Sequence, residues 1–276
     1  RVWRRWIFRP IMACVSDTVT QLAAPTPLCH AEEALPAPRA EDAESDPSTE
    51  FGSDASELEY SEDDCDGGSS ASSFSVEDTL VIFDWDDTML PTTWIEGQGL
   101  SLDHQSVPTR EQEAQLREMA EHALQTLRVA KSLGKVVLVT NAECGWVELS
   151  CQKFMPALFP SLLDVRILSA RSTYEGEAAA GPSEWKYLAF RSELGIFCDP
   201  REEGRRKNII SIGDSAHERE ALIRVMEDIP NSCVKALKFS ERPGVEQLQK
   251  EHQLIGECLG DIVDHDGSLD LHINCA

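Results

Sequence analysis

The nine residues Leu80-Val81-Ile82-Phe83-Asp84-Trp85-Asp86-Asp87-Thr88 decide how this chain is read. Four consecutive apolar residues bounded by polar ones predict a strand buried on both faces, as in a parallel sheet covered by helices. An acidic cluster directly behind such a strand puts carboxylates at its carboxyl end, where ligands bind in α/β sheets.

The same alternation continues downstream. Between Pro108 and Leu133, apolar residues at Leu116, Met119, Ala120, Ala123, Leu124, Leu127 and Ala130 have helical spacing, closed by Gly134. Val136 to Val139 reads as a second strand, Gly145 to Leu158 as a helix, and Val165 to Leu168 as a third strand. A helix from Ser183 to Leu194 and a strand from Ile209 to Ile212 follow. Then come a helix from Glu218 to Met226, a strand from Cys233 to Leu237 and a helix from Val245 to Leu259, with Leu269, Leu271 and Ile273 alternating as an edge strand. This order predicts a doubly wound, Rossmann-like α/β domain with a mostly parallel sheet.

Composition sets the limits of that domain. Ala31 to Asp78 holds 16 Asp or Glu against one base, Arg39, and few large apolar residues. Such a stretch buries too little apolar surface to offset the entropy of ordering it. Residues 1–78 are therefore expected to form a disordered acidic tail, and 79–276 one folded domain. Serines such as Ser53 and Ser61 lie in settings suited to acid-directed kinases.

The net charge of −24 excludes a nucleic-acid backbone as the main partner, because that contact needs a basic patch. The nine cysteines show no C-x-x-C spacing, so neither a zinc site nor a disulfide framework is expected, and a reducing, cytoplasmic compartment is. No apolar run approaches the ~20 residues that span a bilayer. Arg1 to Pro10 sets arginines against aromatics, as in a surface anchor or targeting peptide, but Pro10 cuts the segment too short for stable amphipathic binding. A chain opening on Arg reads instead as a fragment, or as one whose translation begins at Met12.

In a parallel sheet, Asp84 to Thr88, Thr140-Asn141, and Gly213-Asp214 through Glu218 would gather along one rim. Lys186, on the helix before the fourth strand, reaches the same rim, with Lys153 and Lys207 as competitors for its role. Carboxylates crowded in one pocket repel: a like pair at 4 Å costs about 1 kcal/mol in water and ~4 at an effective dielectric of 20. A hard divalent cation removes the conflict, and Mg²⁺ commonly uses only one or two carboxylates, for which Asp84 and Asp214 are the natural pair. Asp84 can then attack phosphorus in line and form an aspartyl phosphate. Asp86 can protonate the leaving oxygen and later activate water. Thr140, with Asn141 beside it, offers a hydroxyl and backbone N–H to phosphate oxygens, and Lys186 offers a positive charge.

The arrangement resembles the haloacid dehalogenase superfamily over about the last 200 residues. Its four motifs are an apolar strand with D-x-D-x-T/V, a second ending in Ser or Thr, a Lys, and G-D with a further acid. They correspond here to Asp84 to Thr88, Thr140, Lys186, and Gly213-Asp214 with Glu218. The resemblance implies a capless domain in which Asp84 is nucleophile and metal ligand. Asp86 would be general acid/base and lend its backbone carbonyl to Mg²⁺, Thr140 and Lys186 would bind phosphate, and Asp214 would bind Mg²⁺. Glu218, where Asp is commoner, would support the metal shell or the lysine. The acid at Asp86 points to phosphatases rather than to dehalogenases or ion pumps of the superfamily. Val139 to Glu143, followed by Gly145-Trp146, is similar to a branch of algal and protist members, which supplies no substrate.

The stretches Met89 to Ser106 and Ala170 to Pro182 are too short for a cap domain, so an open site is expected, suited to a bulky substrate such as a phosphoprotein. A small-metabolite phosphatase is one alternative. Another is a catalytically silent protein of the same fold that presents its acidic tail to a basic partner. Single tryptophans read as core, with Trp94 the best exception for substrate stacking. His217 reads as a first-turn surface residue.

Overall fold

The computed structural model describes residues 74–176, 181–198, 205–227, 229 and 231–275. The expected acidic tail up to residue 73, with Ser53, Ser61 and the segment Arg1 to Pro10, lies outside the described residues.

Six strands and seven helices alternate among the described residues. They are β1 (Thr79–Phe83), α1 (Thr92–Gly97), α2 (Arg110–Leu133), β2 (Lys135–Thr140), α3 (Trp146–Phe154), β3 (Arg166–Ser169) and α4 (Ala170–Tyr174). There follow α5 (Pro182–Phe197), β4 (Lys207–Gly213), α6 (Ala216–Met226), β5 (Ser232–Lys238), α7 (Val245–Asp264) and β6 (Leu269–His272). All five strand pairings are parallel, in the order β3-β2-β1-β4-β5-β6. The chain thus winds outward in both directions from β1, and the strand order reverses between β1 and β4. No described helix is long and apolar enough to cross a membrane.

β1 is central, and all five of its residues are buried. Val81 and Phe83 pack with Met119, Ala123 and Leu127 of α2 and Leu248, Ile255 and Leu259 of α7. Leu80 and Ile82 face the other way, against Phe190 and Leu194 of α5 and Leu222 and Val225 of α6. The two-residue period of a strand therefore divides one apolar run between two cores, which explains its continuous hydrophobicity. The helical stripe read in α2 faces the first core, and a Thr109–Gln112 capping box starts that helix.

Three differences from the sequence reading have local causes. The helix expected to run to Leu158 stops at Phe154, because Pro156 follows Met155 and the residue before a proline is driven out of helical geometry. The long loop after β1 contains α1, only six residues long and built on Thr92-Thr93-Trp94, which are weak helix formers. Asp87 makes up for this by accepting hydrogen bonds from the Thr93 N–H at 2.8 Å and from the Thr93 hydroxyl.

The third difference lies at the edge of the domain. Phe74 to Asp78, assigned by composition to the tail, pack on it: Phe74 is buried, with Lys235 Nζ 5.0 Å and Arg206 Cζ 5.5 Å from its ring. Asp78 is buried and paired with Lys207 Nζ at 3.0 Å and Arg205 at 3.1 Å. Burying a phenylalanine contributes roughly 2 kcal/mol. A chain beginning at Thr79 is therefore expected to melt about 4–8 °C below one beginning at Phe74, as thermal denaturation of the two would show. Equal midpoints would contradict the packing.

Candidate active site

The register of the sheet builds the rim. Phe83 is paired with Leu138 on one side and with Ile212 on the other, so Asp84 stands beside Val139 and Gly213 where the strand order reverses. The Asp84 N–H donates to the Ile212 carbonyl at 2.9 Å, holding the residue in line with its strand.

Into this row comes Lys186 from the first turns of α5, wholly buried. Its ammonium donates to Asp84 Oδ1 at 2.6 Å and to the Val139 carbonyl at 2.7 Å, and lies 2.9 Å from Glu218 Oε1. An ammonium has three donors, and here three acceptors on three elements take them. Burial works against the charge on Lys186, but Asp84 and Glu218 outweigh it and raise its pKa. One ammonium cannot neutralise two carboxylates. Burial likewise opposes the charge on Glu218, yet Lys186 and Ser215 keep its pKa low. Asp84 absorbs the surplus: burial, then the neighbouring Glu218 and Asp86, raise its pKa well above the usual carboxylate range against the pull of Lys186.

Glu218 serves two elements at once. Its Oε1 faces Lys186, while Oε2 accepts from the Ser215 N–H at 3.2 Å and from the Ser215 hydroxyl, closing a capping box at the start of α6. This requires a glycine at Gly213, where an added Cβ would sit 2.5 Å from Glu218 Cγ. The same side chain thus contacts the buried lysine and caps the start of α6. Asp214 is half-buried beside it, and its carbonyl accepts from Lys238 Nζ at 2.9 Å. Burial, then Glu218 and Asp87, push the Asp214 carboxyl up to about 7.

Asp86 lies across the rim from Lys186's helix. Its Oδ1 accepts from the Thr92 hydroxyl at 2.6 Å and from the Trp146 indole N–H at 2.8 Å, and its Oδ2 is 3.4 Å from the Thr140 hydroxyl. That hydroxyl in turn accepts from the Ala142 N–H at 2.9 Å. The loop bends back at once because Asp87 takes a left-handed conformation, with φ 54°, which Asp tolerates better than most residues. Trp85, between the two acids, is buried and points away, donating to Ser150 of α3 at 3.0 Å.

Below the loop, a buried histidine of α7 supports it. His252 is wholly buried, with Nε2 2.7 Å from the Thr88 carbonyl and Nδ1 2.9 Å from the Thr126 hydroxyl of α2. A carbonyl can only accept, so Nε2 carries the proton. Burial holds the ring neutral, with its pKa lowered to about 4.

The remaining candidates fall as follows. Asn141 Nδ2 donates to the Pro182 carbonyl at 3.2 Å, tying the end of β2 to the start of α5. His217 is half-buried on the first turn of α6. Trp94 packs against the core on the α2 and α7 side. Lys207 pairs with Asp78 at the start of β4, at the opposite end of that strand from Asp214, and Lys153 donates to the Asp103 carbonyl. Neither reaches the rim. A cleft of about 460 Å³ opens between the amino ends of β2 and β3 and the end of α5, lined by Lys135, Arg166, Glu193 and Phe197, at the end of the sheet opposite the rim.

Sequence reading missed Thr92, Thr93, Trp146 and His252. Only Trp146 left a signal, as part of Gly145-Trp146. Among the described residues no three or more His, Cys, Asp and Glu side chains form a ready-made metal cage. A hard cation such as Mg²⁺ does not need one, since one or two carboxylates and water suffice. Asp84 and Asp214, crowded by like charge, are the donors that suit it. No family model, curated protein or solved structure matches the chain.

The support under the loop predicts a pH dependence of stability. His252 has its folded pKa near 4, below its ordinary 6.5, so between these values protons bind mainly the unfolded chain. The contribution is present in full above pH 6.5 and lost as pH falls towards 4, and it amounts to about 3 kcal/mol. Urea unfolding at a series of pH values should show the stability advantage of wild type over His252→Gln shrinking by that amount across this window. A constant gap would show that the ring is not held neutral.

Proposed function

We propose that the chain is a Mg²⁺-dependent phosphoric monoester hydrolase of the haloacid dehalogenase type, working through an aspartyl phosphate on Asp84. The observation that carries the reading is the buried Lys186, which joins Asp84 to Glu218 at the point where the strand order reverses. Buried ionisable groups that shift one another at a strand-end rim are the physical mark of a reactive site, and a second acid stands two residues beyond the first.

Each side chain then has a task. Lys186 occupies one oxygen of Asp84 and leaves the other to attack phosphorus. Thr140 and the backbone N–H groups after β2 hold the transferring oxygens, with Asn141 bracing that turn against α5. Asp86 gives a proton to the leaving oxygen, then takes one from the water that opens the aspartyl phosphate. Asp84, Asp214 and the Asp86 carbonyl would hold Mg²⁺, which when bound would supply charge neutralisation for the phosphoryl group. Glu218 keeps Lys186 in place and is engaged on both oxygens by protein groups, so it serves as a support and not as a metal ligand.

Among the described residues, little chain is inserted at the two places where a cap would lie. The segment between β1 and α2 holds one six-residue helix, and α4 has five residues. Neither is large enough to enclose a small ligand, which favours a bulky phosphoester such as a phosphoprotein.

Hydrolysis of para-nitrophenyl phosphate with and without Mg²⁺ tests the reading. Turnover should require the metal and fall by at least ~10³-fold in Asp84→Asn, which keeps Lys186 paired with Glu218 and so keeps the fold. Absence of metal-dependent turnover, or equal turnover by the variant, would overturn the reading, and no turnover at all would leave a silent interaction protein as the better account. A panel of phosphopeptides against sugar and nucleotide phosphates should favour the peptides.

A further inference from the structure

Two donors, and not one, fasten the outer acid of the rim, and both choose the same oxygen. Asp86 Oδ1 receives the Thr92 hydroxyl at 2.6 Å and the Trp146 indole N–H at 2.8 Å. Among the described residues, Oδ2 has only the long 3.4 Å contact with the Thr140 hydroxyl, beyond the usual range of an O–H···O bond. An indole N–H can only donate. An oxygen that already accepts two hydrogen bonds cannot also carry the acid proton facing those donors, so a proton on Asp86 must sit on Oδ2, on the Thr140 side.

The indole is itself held from behind. Gly145, with φ 89°, turns the chain so that Trp146 begins α3, a bend that a residue with a side chain adopts only with strain. The Trp146 carbonyl accepts from Ser150 Oγ at 2.6 Å, and Ser150 Oγ accepts from Trp85 Nε1 at 3.0 Å. Trp85 lies between Asp84 and Asp86 in sequence. One end of α3 is therefore tied twice to the loop that carries both acids, once through each indole.

We infer that Trp146 is a positioning residue for proton transfer: with Thr92, it fixes Asp86 so that Oδ2 alone delivers the proton to the leaving group. The inference rests on the phosphatase reading above. In the first step an Asp84 oxygen forms a bond to phosphorus and the ester P–O bond breaks. The electron pair passes to the leaving oxygen, which takes the proton from Asp86 Oδ2. In the second, water adds to phosphorus, its proton returns to Oδ2, and Asp84 is released with inorganic phosphate.

A loosened acid harms only substrates whose leaving group needs a proton. The test is kcat/KM, in excess Mg²⁺, of wild type, Trp146→Phe and Thr92→Val on para-nitrophenyl, phenyl and alkyl phosphates, with melting temperatures measured alongside. Both variants should lose at least ~10-fold more on the alkyl ester than on the nitrophenyl ester, giving a steeper dependence on leaving-group basicity. Thr92 is only half-buried, so its variant keeps the measurement meaningful where the tryptophan change disturbs packing. Equal losses on all three esters, or none, overturn the inference while leaving an Asp84-dependent wild type and the phosphatase reading intact. Absence of turnover by wild type on every ester overturns both.

Discussion

A single buried ammonium organises this molecule. Lys186 needs three acceptors once it leaves water, and it finds them at the ends of β2 and β1 and at the start of α6. Removing that ammonium would leave two buried carboxyl groups without their cation, at a cost of about 3–5 kcal/mol. Three elements that meet nowhere else in sequence are therefore held in register by one side chain. The glycine before Asp214 and the cap on α6 are part of the same requirement, because both are needed for Glu218 to reach inward.

The rim has two halves of different character. On the Lys186 side the groups are ionisable and for the most part buried, and their pKa values are moved by burial and by one another. On the Asp86 side a half-buried carboxylate is oriented by neutral donors, a hydroxyl and an indole. In the proposed hydrolase this asymmetry would separate an attacking group, shielded from bulk water, from a proton-transferring group that exchanges with it. The substrate would bind between the halves, where the Thr140 hydroxyl faces Asp86.

Much of this was legible because strands buried on both faces announce themselves. Leu80 to Phe83 is apolar without interruption and Ile209 to Ile212 is broken by Ser211 alone, and the polar residues that end them had to share a rim in any parallel sheet. Lys186 could be chosen over its competitors only by topology, since helix lysines look alike in sequence. What stayed hidden were residues whose role depends on direction. Trp146 and Trp85 carry the same side chain, yet one aims its N–H at Asp86 and the other at Ser150 in the core. His252 gave no sign, because its partners Thr88 and Thr126 lie 164 and 126 residues away. The packing of Phe74 was not legible because composition averages over a window and cannot see one aromatic ring lying beside two basic side chains.

The sheet ends on both sides in strands of four residues, β3 and β6. Arg166, on β3, is bound by both oxygens of Glu193, and Asp270, on β6, is bound by Arg219. Short margins with charged side chains fastened across them are poor templates for another chain's strand. A parallel sheet of this size, slow to assemble and rich in β-branched residues, would otherwise invite edge-to-edge aggregation. Recognition by strand addition is closed off by the same feature, so a macromolecule that meets this domain must do so through its helices, loops or rim.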